Sequence, residues 1–242
     1  KGIEYPVEVP IKGKPMQKVV ARVNIAVSAP RHLHKIDVNN LLEILADRKD
    51  DLSLLKIETI AKELGEKLKA DWARIEVEYP YLIERKTPMG EKCLVEYKCK
   101  TIAISRTLLG AEIIHEVKVP VNFYNAIQDQ RTFVTIQFKC EKYIWPNDIV
   151  QLVEETIGET AYIVIEGIHG VETRVAQGMQ KQLVNIIEEL SEKLDRNREI
   201  TWYSILVENI GNLTKYGFFE RDKWHLFPPP EAHEHYWSDI EP

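Results

Sequence analysis

Histidine and carboxylate side chains crowd together at three places in the chain. His169 stands between Glu166 and Glu172. Imidazole and carboxylate at that spacing can share a divalent cation, which needs three or four N, S or O ligands around one point. The segment RHLHKID carries His32, His34 and Asp37. Near the end His233, Glu234 and His235 alternate, with Asp239 beyond; on an extended chain both rings of such an H-E-H point to one side. Each cluster also fits a plainer role: a polar loop after an apolar run for His169, a surface loop for His34, and a solvent-facing tail for His233 and His235.

Cys93, Cys99 and Cys140 form neither a CxxC pair nor a disulfide framework. Cys93 and Cys99 share the apolar face of a strand and Cys140 ends another, so they read as small buried hydrophobes. This usage fits a reducing, cytoplasmic setting. A glycine-rich phosphate loop, a GxSxG elbow and an HExxH helix are all missing from the sequence. The net charge of −6 and pI near 5.7 argue against a general nucleic-acid binder, which needs a basic face. Apolar runs fall short of 18 residues, so no membrane-spanning helix is expected, and KGIEYPVEVP at the start alternates rather than forming a signal peptide's apolar stretch.

The elements that must position these groups follow from periodicity. Residues 111–140 read as two strands joined by a connector, Asn122 to Arg131. Ile113, His115, Val117, Val119 and Val121 share one face of the first; Val134, Ile136, Phe138 and Cys140 share one face of the second. A period of two marks a half-buried antiparallel sheet. Before it, strands are expected at 3–9, 17–28, 73–83 and 93–104, with helices at 38–47 and 53–69. Asp51 or Ser53 can cap the second helix, whose buried stripe is Ile57, Ile60, Ala61, Leu64 and Leu68. After it come a helix capped by Asn147 and ending near Thr156, an ambiguous apolar run at 162–167, a long helix at 174–194, and strands at 200–208 and 216–221. The order β-β-α-α-β-β thus occurs twice, which suggests two copies of one module. The expected division is 1–106, 107–226 and a tail at 227–242. That tail, FPPPEAHEHYWSDIEP, joins three prolines to Phe227, Tyr236 and Trp237, and is expected to dock on its own or a neighbouring subunit.

Four stretches, ARIEVEYPYLIERKTP (73–88), VPV with QRTFVTIQF (119–138), KYIWPNDIVQLVEE (142–155) and ITWYSILVEN (200–209), resemble the type IB GTP cyclohydrolase family, which includes archaeal enzymes of pterin synthesis. The resemblance runs from about Gly2 to Glu220. It implies an α+β fold of tandem tunnelling-fold (T-fold) modules, each a four-stranded antiparallel sheet packed on two helices. It also implies oligomers with active sites at their interfaces. The family's metal, usually zinc, activates water for attack on the purine ring of GTP.

Set against the family's motifs, the chain departs at the metal centre. The CPCSK segment after VPV is absent. Gln128 stands where GAHNQR has its His, although Gln130 and Arg131 remain. GIHG replaces the RPDE region, with the acidic position at Gly170; a shift of two restores a carboxylate through Glu172. Asn185 aligns with the Glu that anchors the base, and the SIHNH segment reads Asn212 to Tyr216. His34 lies near a GTHM-like His. The resemblance therefore leaves Gln128, Arg131, Asn185 and Glu208 as a candidate pocket, with His34, His169 and Glu172 as remaining metal ligands for zinc or iron. From these losses the chain is expected to be a non-catalytic binding, structural or partner subunit, in a homo-oligomer or paired with a T-fold paralogue. The alternative expectation is an enzyme on a purine or pterin substrate with a rebuilt site.

Overall fold

The computed structural model describes residues 2–28, 53–86, 92–125, 128–157, 183–209 and 214–222. Eight strands form one antiparallel sheet in chain order: β1 (Ile3–Val9), β2 (Gln17–Val27), β3 (Trp72–Lys86), β4 (Lys92–Arg106), β5 (Gly110–Asn125), β6 (Gln128–Cys140), β7 (Ile200–Asn209) and β8 (Thr214–Asp222). Three helices are described: α1 (Ile57–Leu68), α2 (Pro146–Ile157) and α3 (Leu183–Arg196). The architecture is mixed α+β. The expected helix at 38–47, the run at 162–167 and the first part of the long helix lie outside the described residues.

Alternation along each strand sorts side chains onto two faces. Ile75, Val77, Tyr79, Tyr81 and Ile83 of β3 are buried, as are Val95, Tyr97 and Cys99 of β4 and Val134, Ile136 and Phe138 of β6. They form one core with the apolar stripes of α1, of α2 (Ile149, Val150, Val153) and of α3 (Ile186, Leu190, Leu194). The opposite face carries a second, small cluster, Ile102, Ile104, Ile114 and Trp202, among ion pairs. Lys100 reaches both Glu78 (3.5 Å) and Glu116 (3.4 Å), and Glu112 joins Arg106 to Lys139.

Local chemistry sets the ends of the helices. Ser53 Oγ accepts from the Leu55 amide at 3.3 Å, capping the 3-10 turn that leads into α1. Lys69 ends α1 in the left-handed region at φ 49°. The expected cap of α2 shifts by two residues: the helix begins at Pro146, and the Trp145 carbonyl accepts from the Asp148 amide at 2.9 Å. Proline favours the first helical position because its φ is already helical and it has no amide to leave unpaired; Asn147 therefore lies inside the first turn.

The connector Asn122 to Arg131 also differs from expectation. The β5–β6 ladder continues from Asn122↔Arg131 to Asn125↔Gln128, leaving residues 126–127 between the strands. These backbone amides and carbonyls are satisfied by each other across the hairpin.

One polar clip ties the two halves together above the core. Arg85 of β3 donates from Nη2 to Glu154 Oε2 at 2.7 Å, and Tyr97 of β4 donates to Glu154 Oε1 at 2.7 Å. Glu154 belongs to α2, so a single carboxylate joins the second half to the first. Burial, then Glu154, pushes the Tyr97 hydroxyl up, which keeps it a donor. Glu154→Ala leaves a cation and a hydroxyl without their acceptor in a site where the side chains are 22% and 11% exposed for Arg85 and Glu154. We expect a loss of about 2–3 kcal/mol in urea unfolding. Lys62→Ala, which removes the exposed pair with Glu58, should change stability by less than about 0.5 kcal/mol.

Candidate functional site

β5, β6 and β7 bring the candidate pocket residues toward one end of the sheet. Glu208 lies next to the last residue of β7, opposite Phe133 in register. Lys118 of β5 reaches diagonally over β6, with Nζ 4.6 Å from the Phe133 ring centroid, and donates to Glu208 Oε2 at 3.0 Å. Both charged side chains are half-buried, at 31% and 28% exposed. Lys118, Phe133 and Glu208 share the face away from the described helices. A partly desolvated carboxylate held by an ammonium in this way is oriented for directional hydrogen bonding.

Arg131 and Gln128 continue β6 toward the hairpin end, opposite Asn122 and Asn125. Arg131 is two positions from Phe133, so its backbone position shares the face of Glu208, whereas Gln128 alternates to the other face and lies beyond Thr132, where pairing with β7 ends. Asn185 falls in the first turn of α3, in the helix layer. That layer packs on the other face of β7, where Ser191 Oγ lies 2.8 Å from the Tyr203 hydroxyl. His34, His169 and Glu172 lie outside the described residues, as do His32, Glu166, His233, His235 and Asp239. Among the described residues no group of three His, Cys, Asp or Glu is placed to hold a metal. Burial raises the thiols of Cys99 and Cys140, as expected of small buried hydrophobes rather than metal-binding thiolates.

Motif reading missed Lys118 and Phe133. Lys118 interrupts the apolar run of β5 between Val117 and Val119, which is a visible signal. Its partnership with Glu208 is not visible, because it depends on the register of two ladders. His115 was expected to face inward, and it does. Its Nδ1 is 3.3 Å from Thr101 Oγ1, and its ring lies 5.4 Å from Phe138 and 5.6 Å from Tyr143. Burial pulls its pKa down to about 4, so it is neutral near pH 7 and part of the packing.

Solved structures of urate oxidases share this fold. The urate oxidase from Bacillus subtilis 168 superposes with a TM-score of 0.53 at 10% identity, covering 84% of each chain. The Bacillus sp. TB-90 urate oxidase gives 0.51 at 10% identity, covering 91% of this chain and 95% of that one. The model of the family described as Type I GTP cyclohydrolase folE2 matches residues 1–213. "GTP cyclohydrolase FolE2" of Geobacter metallireducens is 32% identical over 92% of this chain and 90% of its own length. The protein of the same name from Geotalea uraniireducens is 31% identical over 92% and 87%. This chain belongs to the type I GTP cyclohydrolase FolE2 family.

These matches correct the expectation of a non-catalytic binding or partner subunit. That expectation rested on motif positions such as Gln128 and Asn185. The likeness instead spans nearly the full length of relatives that carry an enzyme's name.

His115 generates a test by acid titration. Its folded pKa of about 4 lies below the ordinary 6.5, so the unfolded chain takes up the proton first as pH falls. Its contribution is complete above about pH 6.5 and drains away as pH drops toward 4. Denaturant unfolding of His115→Phe should show a shallower loss of stability across that window than the unmodified chain.

Proposed function

We propose that this protein catalyses the hydrolytic opening of the purine ring of GTP. The reading is carried by the family match across residues 1–213, together with relatives named GTP cyclohydrolase FolE2 at 30–32% identity. We take it to be of the type IB, tunnelling-fold kind. Its sheet would be two four-stranded modules joined between β4 and β5, divided at residues 106 and 107, in a cytoplasmic homo-oligomer or a mixed oligomer with a T-fold paralogue.

The chemistry we assign to the described residues is recognition. Glu208 accepts hydrogen bonds from the N–H edge of the purine, held in place by Lys118. Arg131 offers a planar fork that matches phosphate oxygens. Asn185, in the helix layer across the sheet, is left out of this pocket. Among the described residues no group of ligands is placed to hold a metal. Zinc or iron, were it bound, would be held by His34, His169 and Glu172 and would supply an activated water.

A second reading, turnover of a related purine or pterin, is favoured by Gln128 and Asn185. These stand where the family's motifs carry a His and an anchoring Glu. The two readings separate by substrate. Protein purified without a metal-affinity tag is assayed with GTP and with other purines and pterins, alongside elemental analysis. GTP consumption with appearance of a pterin chromophore, and about one zinc or iron per chain, is the expected result. Glu208→Ala should then lower kcat/KM for GTP by roughly 10- to 150-fold, as loss of one charge-assisted contact predicts. No GTP turnover after reconstitution with zinc or iron, together with turnover of another purine or pterin, would overturn the first reading in favour of the second.

A further inference from the structure

On the face away from the helices, Glu112 and Glu116 have both carboxylate oxygens engaged. Glu112 accepts from Arg106 on Oε1 and from Lys139 on Oε2. Glu116 accepts from Gln137 on Oε2 at 2.7 Å, and its Oε1 lies 3.4 Å from Lys100 Nζ. Glu208 differs. Its Oε2 accepts from Lys118 at 3.0 Å, and no described residue donates to Oε1. Lys118 has capacity left as well: an ammonium carries three donors, and its one hydrogen bond to a described residue goes to Glu208.

Thr135 adds a second sign of polar capacity that the fold leaves unused. It stands directly opposite Lys118 in register and two positions from Phe133, on the same face. It is 7% exposed, and its Oγ1 has no hydrogen-bond partner among the described residues. A buried hydroxyl without a partner costs free energy, and folding alone gives no return for it here.

The unused groups of the ion pair come in a fixed order: a donor, Lys118 Nζ, then two acceptors, Glu208 Oε2 and Oε1, with the first two 3.0 Å apart. A heterocycle with a carbonyl, a ring N–H and an exocyclic amine on consecutive atoms presents the complementary order. Guanine has that edge, and so does a 2-amino-4-oxo pterin. Adenine puts an amine where the carbonyl should be and a bare ring nitrogen where the N–H should be. We propose that Lys118 is a specificity-determining residue, whose ammonium bonds the ring carbonyl beside the N–H that Glu208 accepts. The pair thereby selects an oxo edge over an amino edge, because the wrong edge sets donor against donor and acceptor against acceptor. Both bonds are charge-assisted, and partial burial of the pair strengthens them. This assignment deepens the purine or pterin reading of the same site and rests on it, whichever of the two is turned over.

The test reads binding to the full chain by titration calorimetry, so turnover is not required. The probes are GDP, ADP, neopterin and 6-thio-GDP, in which a sulfur, a weak acceptor, replaces the carbonyl oxygen while the N–H and the amine remain. The unmodified chain should bind GDP at least about tenfold tighter than ADP and about fivefold tighter than 6-thio-GDP. Lys118→Met keeps the side-chain stem and removes the ammonium. It should weaken GDP binding roughly 10- to 150-fold and bind GDP and 6-thio-GDP equally. A variant that loses affinity but keeps the preference for oxygen over sulfur shows Lys118 merely holding Glu208, and overturns the proposal. An unmodified chain that binds ADP or 6-thio-GDP as tightly as GDP overturns it without any substitution. Failure of the GTP reading looks different: GTP is not turned over, while neopterin binds and Lys118→Met weakens it, which supports the assignment. Binding of neither GDP nor neopterin overturns the assignment whether or not GTP is turned over.

Discussion

The ladder between β4 and β5 is the constraint on which the rest depends. It runs from Lys98↔Lys118 to Arg106↔Gly110 and makes the strands before and after it one continuous sheet. Antiparallel pairing satisfies the backbone on both strands and fixes which residues share a face, because a slip of one residue would reverse every side chain. With this register Val117 lies beside Cys99 on the core face and Lys100 opposite Glu116 on the other. The same ladder brings His115 opposite Thr101, so a polar pair is buried without leaving both groups unpartnered.

The two faces then take different roles. One is covered by α1, α2 and α3 and holds most of the apolar core. The other is a field of partly buried ions, in which Lys100 and the acids Glu112 and Glu116 find partners on neighbouring strands and Lys118 reaches across β6 to Glu208. Isolated exposed pairs contribute little, but partly desolvated ones orient each other. On this face Lys118 and Glu208 hold each other across β6. Glu154 works differently: it sits between α2 and the first half of the sheet, where its two oxygens serve Arg85 and Tyr97 at once.

The full-length likeness to FolE2 proteins describes the chain at the scale of its elements. Family membership is carried by many strand and helix positions, such as those in 73–88 and 142–155. Gln128 and Arg131 illustrate this. Their backbone is absorbed into the β5–β6 ladder.

Much of the fold was legible in the residues themselves. Alternating Ile75, Val77 and Tyr79 fixed a strand and its inward face, and the spacing of Ile57, Ile60, Ala61, Leu64 and Leu68 fixed α1, because burial repeats with the period of the backbone. Ser53 as a cap and Cys99 as a buried hydrophobe followed from local chemistry in the same way. Pro146 rather than Asn147 opened α2 because two local preferences competed. What the sequence could not give was any relation between residues far apart in the chain. Lys118 with Glu208, and Arg85 and Tyr97 with Glu154, depend on strand register and on how a helix lies across the sheet. Those are decided by the packing of the entire core, so tertiary structure alone settled them.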